Sequence, residues 1–443
     1  MKTTLSSRGF TAINAMLRPD FEIFFEAIQN LYHKDENPNG TFPLNVAENK
    51  LMWPVMKEKI ESITKKQEIP AWVSNYTSAL GAPSFRVVLA KFMTKHLTKC
   101  PIDPHQMGVS AGATAVIEMT SLLLGEKGDV VVFPAPCYPV YRQDIGNKSE
   151  LERYDLVTHH DLDPILDEPN LSTEDLNRTL KKLQSQNKRF RILVLTNPDN
   201  PTGGMYSIQK IEKIADWCIQ HGIHLIVNEI YGLSIIDTKH PEIAKDYKTD
   251  RHFVSFATIM NEKQSDFLHL WYSLSKDFGV SGFRIGLVYS LNEDFIKAYN
   301  NYNAPNMASN YAQWIMEEVL KDDVFVDSYI KENQKLLTES YVVVVKSLRK
   351  LDIPYVPSRG SLFIWADFSK YLNDNTQEAE NVFWMKIYEN TGILLTPGEG
   401  FGHTKHGQFR VVYPSVSVDD LAVALGRLEG ELFNNTTIQS FNN

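Results

Sequence analysis

The sequence predicts an α/β fold, a mostly parallel sheet sandwiched by helices, with a smaller α+β part attached. Three observations lead there. Apolar, β-rich runs alternate with longer amphipathic stretches through the middle of the chain, the rhythm of successive βα units. At 443 residues and 43% hydrophobic content, the chain can bury a large core and exceeds one compact domain. From about Asp322 the texture changes to a long charged helical stretch followed by short strands.

The central strands are expected at 129–136 (DVVVFPAP), 189–197 (RFRILVLTN), 224–231 (HLIVNEIY) and 267–275 (FLHLWYSLS). Between them, SIQKIEKIADWCIQHG at 207–222 repeats its apolar residues near a 3.6 period and ends in Gly, as a helix does. After DSYIKENQKLLTESYVVVVKSLRKL come the short strands SLFIWADF and FRVVYPS. The first 70 residues lack a βα rhythm. The expected division is an N-terminal arm with part of the small domain at 1–70, a large domain at 71–315 and a small domain at 316–443.

Net charge is −9 and the pI near 5.8. With Lys and Arg scattered, no basic footprint for nucleic acid exists, and small molecules are the expected partners. The N-terminus has no secretory apolar run and no stretch approaches a membrane span, so the chain reads as cytoplasmic. Three widely separated cysteines, Cys100, Cys137 and Cys218, argue against a disulfide framework. His221 and His224, and the adjacent His159 and His160, have no companion ligands at metal spacing and are expected to be structural.

The chemistry concentrates in SLSKDFGVSGFRIG at 273–286, which sets Lys276 between Ser273, three residues before it, and Arg284, eight after. One amine and two phosphate-binding groups can thus meet one cofactor. NPDNPTGG at 197–204 and the small-residue turn SAGATAVIEM at 110–119 add to this, the latter opening a helix after a short strand. A helix N-terminus is a natural phosphate site.

Together these motifs resemble the pyridoxal phosphate (PLP) enzymes of fold type I, the aspartate aminotransferase family. Within it the chain is most similar to the 1-aminocyclopropane-1-carboxylate synthase subgroup, from about residue 40 to residue 428. The resemblance implies a seven-stranded-type sheet, bound PLP, an amino-acid substrate and a homodimer with active sites shared across the interface. It implies that Lys276 condenses with the cofactor aldehyde and moves the proton at the substrate Cα. Gly112, Ala113, Thr114, Ser273 and Arg284 would hold the phosphate. Tyr138, in PAPCYPVY, would stack on the ring, and Asn200 and Tyr231 would bond the ring oxygen. Arg410, in GQFRVVYPS, would take the α-carboxylate, while Ala47 and Glu48, in VAENKL, would line the substrate pocket. Tyr76, in NYTSALGAPSF, would reach a second copy's phosphate; the synthases instead keep a tyrosine where Ala79 stands.

One position departs from the family. The ring-nitrogen partner lies 28 residues after the NPTG asparagine, and Asn228 occupies that place instead of aspartate. A carboxylate there keeps the ring nitrogen protonated. Asn228 can accept from or donate to that nitrogen but brings no charge, so a weakened electron sink is expected. Glu229 faces the other side of the strand and is no substitute. Three functions follow: elimination, replacement or cyclisation at the β or γ carbon through an external aldimine, transamination with a 2-oxo acid, or a non-catalytic PLP-binding protein.

Overall fold

The computed structural model describes residues 4–13, 18–158, 168–403 and 405–441, with side chains through residue 433. Its strands are β1 (Phe42–Pro43), β2 (Met107–Ser110), β3 (Val130–Ala135), β4 (Glu152–Val157), β5 (Phe190–Thr196), β6 (His224–Asn228) and β7 (Leu268–Ser273), followed by β8 (Gly286–Ser290), β9 (Tyr355–Val356), β10 (Phe363–Asp367), β11 (Ile393–Leu394), β12 (Thr396–Pro397) and β13 (Gln408–Val412).

Seven of them form one sheet in the order β2-β8-β7-β6-β5-β3-β4. Neighbours pair in parallel from β4 through β7, and β8 runs antiparallel to both β7 and β2. The inner strands β6 and β7 are buried along their whole length. They therefore read as near-continuous apolar runs rather than alternating ones, as strands covered on both faces do. Helices supply the cover. Ile208–His221 begins where Ser207 Oγ accepts from the Lys210 N–H and ends at Gly222, whose φ of 63° suits a left-handed C-terminal residue.

The expected strand at 267–275 is cut short. Ser273 Oγ accepts from the Ser275 N–H at 3.2 Å, and a single helical turn, Leu274–Asp277, follows. That capping bond takes the backbone out of the ladder and turns Lys276 off the strand end.

The remaining strands build a four-stranded antiparallel sheet, β12-β13-β10-β9, and a parallel pair, β1 with β11. The β1–β11 pair ties the N-terminal segment to the C-terminal part of the chain. Helix Asp323–Lys350 spans two cores. Val326 and Tyr329 pack with residues of the large sheet, whereas Leu337, Tyr341 and Leu348 pack with Phe363 and Val411 of the smaller one. The three cysteines are free. Among the described residues no helix is long and apolar enough to cross a membrane.

Candidate active site

Open α/β sheets place ligand sites beyond the carboxyl ends of their strands. Here the ends of β5, β6 and β7 open into a cavity of about 270 Å³. Lys276 lies in it, half-buried, with its Nζ donating to the Ala47 carbonyl at 2.5 Å. Burial pushes its ammonium down to about 8; nearby Glu48 opposes that shift, and Arg410 and Arg284 add to it. The next residue, Asp277, anchors the turn from below. It accepts from Tyr272 Oη at 3.0 Å, Ser234 Oγ at 2.6 Å and the Leu233 N–H at 3.1 Å.

The anion cradle is built from two close approaches. Gly112, at φ 91°, precedes helix Ala113–Leu124, and a Cβ there would lie 2.6 Å from Arg284 Cζ. A Cβ on Gly286 would lie 2.5 Å from the Gly112 carbonyl carbon. Both positions therefore need glycine for Arg284 to pack on the helix N-terminus, where unpaired N–H groups favour an anion. Ala113, Thr114, Ser275 and Arg284 line the cavity. Ser273 is fully buried beneath them, its Oγ 2.7 Å from the Ile285 carbonyl and 2.8 Å from Ser275 Oγ.

Opposite stand Tyr138, Asn200, Asn228, Tyr231 and Arg410. Asn200 Nδ2 donates to Tyr231 Oη at 3.3 Å, and Arg410 Nη1 donates to Asn200 Oδ1 at 2.9 Å. Arg410 Nη2 donates to the Asn45 carbonyl at 2.8 Å, and its guanidinium lies 4.4 Å from the Phe363 ring centroid. Its Nε is buried without a partner. Burial lowers Arg410 to about 10 and raises Tyr138 to about 12.

Glu229 points away, as the strand alternation requires. It accepts from Ser255 Oγ at 2.6 Å and the Phe256 N–H at 2.5 Å, and burial lifts it to about 8. Glu48 is half-exposed and lies 3.4 Å from Lys50 Nζ, outside the cavity lining but within electrostatic reach of Lys276. Tyr76 is fully exposed and does not join the cavity of its own chain.

Several cavity residues escape sequence reasoning. Arg18 and Asp20 come from the N-terminal segment, joined by an Nε to Oδ1 bond of 2.9 Å. Arg18 shares the Phe401 ring with Arg410, each guanidinium 5.4 Å from its centroid. Tyr141, Asp144 and Thr196 also line the cavity. No local motif marks a lone arginine so far from the lysine; Ser275, one residue before Lys276, was the findable one.

His221 and His224 each have a hydrogen-bonding partner within the fold. His221 Nδ1 lies 2.7 Å from the Trp217 carbonyl, and His224 Nδ1 lies 3.0 Å from His269 Nε2. His159 and His160 lie outside the described residues. Among the described residues no three His, Cys, Asp or Glu side chains group as a metal site.

A primary amine of lowered basicity, a helix N-terminus beside an arginine, and a buried arginine with an unmet N–H suit PLP and an amino-acid carboxylate. The comparisons agree. Residues 43–428 match the family Aminotransferase class I and II. The chain is 30% identical over 419 residues to 1-aminocyclopropane-1-carboxylate synthase 2 of Arabidopsis thaliana, covering 90% of this chain and 80% of the relative. It is 30% identical over 429 residues to a 1-aminocyclopropane-1-carboxylate synthase of Glycine max, covering 93% and 84%. Among solved structures it is similar to an aspartate aminotransferase double mutant of Thermus thermophilus, with TM-score 0.75, 18% identity and coverage of 97% and 99%. The aromatic aminotransferase of Pyrococcus horikoshii OT3 gives 0.74 and 20%, covering 93% and 99%. At such identities the structural likeness shows the fold. The chain therefore belongs to the class I and II aminotransferase family of fold type I, PLP-dependent enzymes, and is 1-aminocyclopropane-1-carboxylate synthase-like.

Proposed function

We propose that this enzyme acts on an α-amino acid at its β or γ carbon, by elimination, replacement or cyclisation, in biosynthetic or specialised metabolism. The observation that carries this reading is the 2.5 Å bond from Lys276 Nζ to the Ala47 carbonyl. It sets the synthase-like segment VAENKL directly on the reactive amine, where substrate must enter.

Bound PLP supplies an electron-withdrawing ring that stabilises negative charge at the substrate Cα. The chain's own residues do the rest. Lys276, brought near neutrality by burial, removes the Cα proton. Arg410 would grip the α-carboxylate and so orient the Cα–H bond; Asn200 steadies Arg410 and, with Tyr231, would hold the ring oxygen. Tyr138, on the cavity wall, would pack on the ring. Ala113, Thr114, Ser275 and Arg284 would hold the phosphate, with Gly112 opening the helix N-terminus; Ser273, expected there, is buried beneath them and gives its hydroxyl to the Ile285 carbonyl instead. Ala47 would border the substrate, with Glu48 off the cavity wall but within electrostatic reach of Lys276. Tyr76 serves a second copy of the chain in a cytoplasmic homodimer. The division at residues 70 and 315 is part of this reading, supported by the two sheets and by the β1–β11 pair.

Transamination with a 2-oxo acid uses the same residues; Ala79, where the synthases keep a tyrosine, and Asn228 count against simple transfer of either activity. Single-turnover incubation with a panel of amino acids separates the two. A new product with PLP retained is expected; conversion to pyridoxamine phosphate would overturn the reading.

A further inference from the structure

Asn228 closes β6 at the cavity wall, buried, in the place where the family keeps a carboxylate. An asparagine presents either a carbonyl or an amino group, and the surroundings decide which way it faces. The decision is made here by a backbone N–H. The Ile230 N–H lies 3.2 Å from Asn228 Oδ1, and a backbone N–H can only donate. The carbonyl end is thereby committed. Nδ2 turns the other way and donates to Tyr141 Oη at 3.0 Å.

Tyr141 is itself held. It is fully buried, its ring stacks on Phe133 with centroids 4.6 Å apart, and its Oη lies 3.2 Å from Thr196 Oγ1. A phenol that accepts from Asn228 still has its own proton to give, and Thr196 Oγ1 is there to take it. Reversing the amide would put Nδ2 against the Ile230 N–H, donor against donor, at a buried position where an unmet polar group costs about 1–3 kcal/mol. Nδ2 carries two N–H groups, and among the described residues only one has an acceptor.

We propose that Asn228 offers its second N–H as a hydrogen-bond donor to the ring nitrogen of bound PLP, which keeps that nitrogen unprotonated, the Ile230 N–H fixing this orientation while Tyr141 Oη takes the other N–H. A carboxylate at the same place does the reverse, since it stabilises the protonated ring. The enzyme thus runs with a ring less able to store negative charge. That suits reactions in which a β or γ leaving group departs promptly, and it disfavours the long-lived carbanion that complete transamination requires. The inference rests on the cofactor assignment and not on the choice of reaction.

The other charged groups around the cavity are Arg18, Asp20, Asp144, Lys276, Arg284 and Arg410. Asp20 is engaged by Arg18 and by Asn45 Nδ2. Asp144 is the rival source of charge. It is 4% exposed, its Oδ2 has no partner, and it lies one helical turn beyond Tyr141. The test must therefore separate an uncharged ring nitrogen from one protonated by a displaced carboxylate.

The holoenzyme loaded with PLP labelled with ¹⁵N at the ring nitrogen is read by solid-state NMR. Wild type is expected to give a neutral, pyridine-type signal, unchanged in Asp144→Asn, and Asn228→Asp is expected to move it upfield to the pyridinium position. A pyridinium signal in wild type overturns the proposal, whether or not Asp144→Asn abolishes it. The wild-type spectrum decides this even where Asn228→Asp fails to fold. Because the product panel reads the reaction and this spectrum reads the ring, either reading can fail alone.

Discussion

Arg410 Nη1 donates to Asn200 Oδ1 at 2.9 Å, so the arginine proposed for the substrate carboxylate and the asparagine proposed for the ring oxygen form one hydrogen-bonded unit. The substrate clamp and the cofactor clamp are therefore mechanically coupled. Arg410→Lys removes the planar fork and with it the bond to Asn200. Carboxylate ligands are expected to bind more weakly by about 1.5–3 kcal/mol, the worth of a charge-assisted hydrogen bond. Titrating the holoenzyme's absorbance with amino acids measures this. Asn200→Ala should weaken the same binding, and the double variant should lose less than the sum of the two singles, as coupled neighbours do.

Burial of Lys276 gives the cofactor-free protein a defined pH dependence. The lysine's ordinary value is 10.5 and its folded value about 8. Between these the unfolded chain holds more protons than the folded one, so stability rises with pH across that window. Below about pH 8 the buried ammonium exacts its full cost. Lys276→Met should raise the cofactor-free protein's stability at pH 7, on the order of 2 kcal/mol after allowing for the partial exposure, and abolish this group's contribution to the slope. Denaturant unfolding at pH 7 and pH 10 reads both effects. Failure of the variant to gain stability at pH 7 would contradict the burial argument.

Gly112 is a backbone requirement and a steric one together. At φ 91° and ψ 172° it occupies a region essentially reserved for glycine, where a side chain costs about 1–3 kcal/mol. A Cβ would also displace the Arg284 guanidinium. Gly112→Ala should lower the unfolding free energy by that amount and accelerate loss of cofactor on dialysis. Gly282, where an added methyl group would meet nothing within 4 Å, is the control: Gly282→Ala should change cofactor retention far less.

Tyr76 is fully exposed and stands outside the cavity of its own chain. If it serves a second copy, Tyr76→Phe should weaken PLP binding by about 1 kcal/mol, roughly fivefold. The cofactor-free protein's unfolding midpoint should not move. Equilibrium dialysis against PLP tests this, and unchanged affinity would remove Tyr76 from the site.

The central strands were legible because they are apolar along their length, and helix 207–222 because Gly222 ends its periodic pattern. Lys276, Arg284 and Asn200 were legible because each sits in a short motif whose spacing is dictated by a turn. The strand before Lys276 ends at Ser273, two residues short of the apolar run's expected end at 275. Ser273 looks like strand in sequence, and only its bond to the Ser275 N–H shows it to be a helix cap.

Arg18, Asp20 and Asp144 had no such motif, since their proximity to Lys276 arises from chain segments far apart in sequence. Ser273 shows a subtler limit. The pattern SLSK identifies a serine-lined turn, but which hydroxyl faces the cavity depends on the Ile285 carbonyl lying beneath it.

By itself the sequence determined the α/β architecture, through local periodicity, and carried the motifs whose resemblance to a known family implies the cofactor class and marks Asn228 as a departure, because periodicity and motif order are properties of the covalent chain. Tertiary structure alone decided how that asparagine faces. Its orientation depends on the Ile230 N–H on one side and the Tyr141 hydroxyl on the other. Tyr141 comes from the helix after another strand, and a hydrogen bond's direction is settled only when donor and acceptor meet in space.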